Sequence, residues 1–223
     1  GLGRAIAERF GKEKARVVIT GRGKEEVETS ALEIASSYGT ETLAQVGDIT
    51  TAEGASAAIK TTQSWGGNID ILIANVGGTA VLGWDVPDSN WEEVLNTNLL
   101  GSVRLVREVL PSMISSQKGV IIFISSIAGL EDLSAPITYA AAKSGLTAVA
   151  QSLSRSLGKH SIRVNVVAPG NLLFPGGAWE QRLSKNGESI RKKINDEVPL
   201  KRFGNPMEVA NVVVFLSSEQ ASF

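Results

Sequence analysis

Along this chain, short runs rich in apolar and β-branched residues alternate with longer stretches in which apolar residues recur every three or four positions. The runs are Arg16 to Thr20, Thr42 to Val46, Ile69 to Asn75, Val120 to Ile124 and Ile162 to Val167. β-branched runs this short suit strands covered on both faces, and strands that alternate with helices build parallel sheets. The pattern predicts an α/β fold with a doubly wound parallel sheet and a helix after each strand.

Several helix starts are written into the polar residues. Thr50-x-x-Glu53 and Ser89-x-x-Glu92 read as capping boxes, and Asn205 before Pro206 with Glu208 reads as a third. One helix is expected over Ser89 to Ser116, and Pro136 suits the first turn of another. Pro169 to Gly177, rich in Gly and Pro, reads as a loop at a strand end. In open α/β sheets ligands bind where the strands end, so the residues after Thr20, Val46, Asn75, Ile124 and Val167 are expected to line one site.

Composition narrows the chemistry. The 223 residues suit one large domain, and a formal net charge of -1 gives no footprint for nucleic acid or an anionic membrane. The longest apolar stretch, Gly119 to Leu130, is too short to span a bilayer, and the expected location is the cytoplasm. Cysteine is absent and His160 is the only histidine, so neither a thiolate nor a serine–histidine pair is available, and no metal site is read. His160, after Gly158 and Lys159, reads as a helix C-terminal residue.

Three constellations remain. The first is Gly1-Leu2-Gly3, opening a helix as the end of a glycine-rich loop does when backbone N–H groups meet a diphosphate. The strand that should precede such a loop is not in the sequence, and the natural protein is expected to extend upstream. The second is Tyr139-Ala-Ala-Ala-Lys143, whose polar residues share one helix face. A phenol is a poor acid or base at neutral pH, but an ammonium nearby stabilises its phenolate. Alone, the pair reads equally as a solvated surface couple. The third is Ser126, which follows the apolar strand and sets a hydroxyl at the carboxyl edge of the sheet.

Together these residues resemble the short-chain dehydrogenases/reductases, and in particular 3-oxoacyl-carrier-protein reductases. In family order stand Gly1-x-Gly3, Asp48, Asn75-Val-Gly77, Asn98-Leu-Leu-Gly101, Ser125-Ser126-x-x-Gly129, Tyr139-x-x-x-Lys143 and Asn165-x-x-x-Pro169-Gly170. The resemblance extends to Pro199-x-x-Arg202-x-Gly204-x-Pro206. It implies one three-layer Rossmann domain over residues 1–223, without its first and its C-terminal strand. It implies that Tyr139 exchanges a proton with the substrate oxygen, that Ser126 polarises that oxygen, and that Lys143 lowers the tyrosine pKa and holds a ribose. Asn98 would position a water that links Lys143 to solvent; without the resemblance, Asn98 reads as a helix irregularity.

The same resemblance places Gly1, Leu2, Gly3, Asn75 and Gly77 along a dinucleotide, Asp48 and Ile49 at its adenine, and Pro169, Gly170 and Leu172 near the nicotinamide, with Tyr139 and Lys143 at the ribose. Arg22 stands where an acidic residue would bind the ribose hydroxyls of NAD(H), and its planar cation suits the 2'-phosphate of NADP(H). NADP(H) is therefore expected in preference to NAD(H). The sequence departs from the family at Phe174, where many members carry a threonine that grips the nicotinamide carboxamide. Phe174-Pro-Gly-Gly177 with Trp179 is expected to form an aromatic lid over an apolar substrate.

These residues favour reduction of a ketone or 3-oxoacyl compound, with an NAD-linked alcohol or sugar dehydrogenase and a non-catalytic NADP(H) sensor or scaffold as alternatives. A small-molecule substrate is implied. Small residues around the Tyr139 helix, including Ala141, Gly145 and Ala148, suggest a second buried face, and the resemblance implies a homodimer or homotetramer paired there.

Overall fold

A computed structural model describes residues 1–78 and 80–223. Among the described residues, five parallel strands carry the fold: β1 (Val17–Gly21), β2 (Thr42–Val46), β3 (Ile71–Ala74), β4 (Gly119–Ile124) and β5 (Ile162–Val167). β1 pairs with β2, while β3, β4 and β5 form a second sheet in that order. Two of the five runs match their predicted bounds. The predicted run at Ile69 is longer than the strand, which begins with Ile71, the first residue to register with β4.

Between the facing edges of β1 and β3 lies an apolar slot of about 510 Å³. Val17 to Thr20 and Ile71 to Ile73 line its sides, and Ile6, Phe10, Ile59 and Leu105 close it above and below.

Helices α1 (Leu2–Lys12), α2 (Lys24–Tyr38), α3 (Ala52–Gly66), α4 (Asp88–Leu95), α5 (Gly101–Ser116), α6 (Ile137–Leu157), α7 (Ala178–Glu197) and α8 (Pro206–Ser217) complete the architecture. β4 shows why its sequence is apolar throughout. Ile121 and Phe123 pack into a core with α3, α5 and α6, and Ile122 and Ile124 pack into another with α1 and α8. Alternate side chains point to opposite faces, and both faces are covered. The three-layer, doubly wound arrangement follows. Among the described residues, no helix is long and apolar enough to cross a membrane.

Helix starts differ from the sequence pattern in three places, one being Pro136, which stands at the N-cap of α6 and not in its first turn. Thr50 does not cap α3, because the Asp48 carboxylate accepts from both its N–H (2.9 Å) and its hydroxyl (2.7 Å). Thr51 caps instead, accepting from Gly54 N at 3.0 Å. Ser89 falls inside α4, which starts after Pro87 without a side-chain cap. The expected long helix is also interrupted: a π-helical turn over Asn96–Leu100 separates α4 from α5. The capping box of Asn205 and Glu208 forms as expected.

Candidate active site

The carboxyl ends of β3, β4 and β5 open on one edge, and α6 runs beneath it. Ser126 leaves β4 in extended conformation and caps a short 3-10 turn, its Oγ accepting from Ala128 N at 3.2 Å. Its neighbour Ser125 is buried and donates to the Lys143 carbonyl at 2.8 Å, which ties the strand end to α6. Gly129 makes that approach possible. A Cβ there would lie 2.7 Å from the Lys143 carbonyl carbon and 2.8 Å from Ser144 N, too close for any side chain.

Lys143 is 4% exposed, and its Nζ donates to Val76 O at 3.1 Å and Ile124 O at 3.0 Å. Nζ also lies 5.8 Å from the centre of the Tyr139 ring. Burial lowers its pKa to about 8, because a charge removed from water is penalised. Tyr139 is partly buried, and burial raises the pKa of its phenol, while a hydrogen bond with Ser126 acts in the opposite direction. The expected depression of the phenol by Lys143 is not what this arrangement displays. The ammonium is directed at two backbone carbonyls, and desolvation dominates the phenol.

Asn98 lies within the π turn and is 0% exposed. Its Nδ2 donates to Val94 O at 3.2 Å and its Oδ1 accepts from Gly78 N at 3.1 Å. π turns recur at functional sites, where they release a helical backbone from its regular bonding. Gly77 sits between the two buried groups: a Cβ on it would be 3.2 Å from Asn98 Oδ1 and 3.5 Å from Lys143 Nζ. Ser126, Tyr139, Lys143 and Asn98 are thus brought together by β4, α6 and the π turn.

The expected cofactor residues line the same edge. Gly1 caps α1 without a side chain, and a Cβ on Gly3 would meet Asn75 Nδ2 at 2.7 Å, so the start of α1 lies against Asn75. Leu2 packs with the α1 and α8 core. Arg22 is exposed just after β1, and its charge helps to lower the Asp48 pKa, behind the two Thr50 hydrogen bonds. Ile49 packs on the core beside the slot.

On the far side, Pro169 O accepts from Ile127 N at 3.2 Å. Gly170 packs against Ile127, and Leu172 bridges to Gly204. Phe174 leans on Gly1, whose Cβ position is 3.1 Å from the ring. The ring of Trp179 instead meets Phe203, centroids 5.5 Å apart, with Arg182 stacked over it at 4.9 Å. The two aromatic residues expected to form one lid therefore engage different partners.

The sequence pattern did not reveal the acceptors of Lys143, because they are backbone carbonyls, nor the contact of Thr138 Oγ1 with Asn90 Oδ1 at 3.5 Å between the starts of α6 and α4. Burial of Thr138 would have been its only signal, and a sequence does not carry that.

The whole chain, residues 1–223, matches the protein family described as Enoyl-(Acyl carrier protein) reductase. It is 37% identical to the 3-oxoacyl-[acyl-carrier-protein] reductase FabG of Aquifex aeolicus over 224 residues, covering 100% of this chain and 88% of that protein. Glucose 1-dehydrogenase 2 of Bacillus subtilis is 30% identical over 226 residues, with 100% and 86% covered. Among solved structures, L-sorbose reductase from Gluconobacter frateurii, complexed with NADPH and L-sorbose, superposes with a TM-score of 0.93 at 30% identity, covering 100% of this chain and 88% of that one.

Proposed function

The chain belongs to the short-chain dehydrogenase/reductase family and is an oxidoreductase, and from that premise we propose that it reduces a ketone to a secondary alcohol with NADPH. The observation that carries this reading is the meeting of Ser126, Tyr139 and the buried Lys143 at the end of β4.

The residues present suit a dinucleotide. Gly3 leaves room for Asn75 to lie against the start of α1, and an uncapped helix start favours an anionic group. Gly1, Leu2 and Gly3 would hold the diphosphate, Arg22 the 2'-phosphate, and Asp48 and Ile49 the adenine. Asn75 and Gly77 would line the cleft, Pro169, Gly170 and Leu172 would border the nicotinamide, and Tyr139 and Lys143 would hold its ribose. NADPH in complexes of the sorbose reductase supports the choice of cofactor, as does Arg22. When bound, NADPH supplies the hydride.

The chain's own groups handle the proton and the charge. A phenol whose pKa is raised by burial keeps its proton at neutral pH, so Tyr139 Oη is a donor to the carbonyl oxygen as that oxygen gains negative charge. Ser126 Oγ already accepts from Ala128 N, which leaves its own proton to point at the same oxygen and polarise it. Lys143 holds a positive charge beneath Tyr139, and Asn98, fixed in the π turn by Val94 O and Gly78 N, would position a water that carries protons to Lys143. Homodimer or homotetramer pairing is part of the same proposal, and exposed Leu100 and Ile137 beside the α5 and α6 starts support it.

A second reading, oxidation of a sugar or polyol, is favoured by the Bacillus subtilis relative. The cation Arg22 in place of an acidic residue weighs against its NAD-linked form. Product analysis separates them: NADPH consumption matched one for one by secondary alcohol supports reduction, whereas NAD-linked sugar oxidation that outruns it supports the second reading. Tight NADPH binding with no turnover would instead indicate a sensor.

A further inference from the structure

The loops around the site carry an unusual surface. Loops 75–87, 125–136 and 168–177 follow β3, β4 and β5 and therefore rise from the edge that holds Ser126 and Tyr139. The first two lead into α4 and α6, whose starts meet through Thr138 and Asn90. The third is bonded to loop 198–205 through Leu173 N to Gly204 O (3.1 Å) and Gly204 N to Asn171 O (2.8 Å). Four loops thus gather at that edge.

On these loops stand six exposed large apolar side chains: Val81, Leu82, Trp84, Leu130, Leu173 and Leu200. Trp84 is 83% exposed and Leu200 74%. An exposed leucine by itself means little, but large apolar groups gathered round a site mark a surface that binds apolar matter. The polar content is low and the wrong sign for an anion. The charged residues of the four loops are Asp85, Glu131, Asp132, Lys201 and Arg202. Asp132 accepts from Ser134 N within its own turn, and Arg202 forks onto Glu208 at 2.9 and 2.6 Å. α7, which joins two of the loops, intersperses five cations with four carboxylates, and its Lys193 pairs with Glu197 at 3.5 Å. Of the cations that an acidic carrier would seek, Lys118 pairs with Asp70, and Arg163 donates to Leu216 O and Ser218 O, both at the amino ends of the strands.

We infer that the substrate is a free, uncharged and largely apolar ketone, selected by this rim, and neither a sugar nor a thioester delivered on an acidic carrier protein. This inference rests on the reductase reading of the site and narrows it. A sugar would need hydrogen-bond partners for each hydroxyl it brings out of water, and the rim offers few. An apolar chain gains from every methylene that it hides against such a surface.

The test is kcat/KM with NADPH for straight-chain methyl ketones of increasing length, a ketohexose, and a 3-oxoacyl group carried either on acyl carrier protein or on N-acetylcysteamine. At about 0.8 kcal/mol per buried methylene, kcat/KM should climb up to about fourfold per added carbon. The sugar should be poor, and the carrier protein should add nothing over the small thiol. Trp84→Ala and Leu130→Ser should flatten the climb, mainly through KM, with the ratio of longest to shortest ketone falling several-fold. A flat series, a preferred ketohexose or a preferred carrier thioester, each abolished by Tyr139→Phe, would overturn this inference and leave the reductase reading standing. Variants that change the oligomer in light scattering without changing the climb would also overturn it, by making the rim a subunit contact. Absence of any NADPH-linked ketone reduction would overturn both.

Discussion

The two sides of the site are held very differently. On one side, β4 and α6 hold the groups proposed to do the chemistry: Lys143 donates to two backbone carbonyls, Ser125 fastens α6 to the strand, and Ile121 to Ile124 are covered on both faces. On the other side, the 20 residues of α7 bury only Ile194, and a non-helical residue, Asn186, breaks its course. A group that must keep its geometry to fractions of an ångström is built on the packed side. The thinly packed side can change its fit at small cost to stability, as loops and lids that admit substrates generally do. The proposed chemistry and the proposed selection therefore fall to regions packed to unequal degrees.

The largest effect should come from the packed side. Tyr139→Phe removes the proton donor with little change in shape and should lower kcat by about 10²- to 10⁴-fold, with NADPH affinity, followed by fluorescence titration, changing far less. If kcat survives, the division of labour is wrong. Next, Arg22→Ser should weaken NADPH binding about tenfold or more and leave NADH little affected, since a charge-assisted hydrogen bond contributes about 1.5–3 kcal/mol. Equal losses for both cofactors would contradict the role given to Arg22.

A smaller effect should follow pH. Lys143 titrates near 8, so its charge is present below that pH and lost as pH rises through it. The reductive rate should fall towards half near pH 8 and decline further above it, whereas a rate that rises from pH 7 to 9 would contradict a charged Lys143 in the reaction. Smallest of all, Ile122→Val in β4 and Ile194→Val in α7 remove the same methylene, at about 0.5–1.5 kcal/mol each when fully packed. The β4 change should lower the Tm and spare KM. The α7 change should cost less stability and shift KM, and equal behaviour would erase the contrast between the two sides.

Much of the packed side was legible in the sequence. The β-rich run over Ile162 to Val167 marked β5 to the residue, as the run over Thr42 to Val46 marked β2 in the other sheet, and the Tyr139 and Lys143 spacing placed both on one helix face. Asn98 read as a helix irregularity and lies in a π turn. What the pattern missed depends on tertiary contacts. Thr50 has the composition of a cap, yet Asp48 engages it first. The acceptors of Lys143 are main-chain oxygens, which every residue possesses and no pattern distinguishes. Phe174 and Trp179 are close in sequence and looked like one lid, but Gly1 receives the first and Phe203 the second. Partners so distant along the chain are set by the packed fold.

A single-turnover reaction of NADPH-loaded protein with an apolar ketone, wild type beside Tyr139→Phe and with bound NADPH quantified before mixing, probes the proton transfer itself. Equal loading, formation of the secondary alcohol and NADP⁺ by the wild type, and near-complete loss of that turnover in the variant are expected. Equal turnover by both proteins would show that Tyr139 does not supply the proton and would contradict the mechanism.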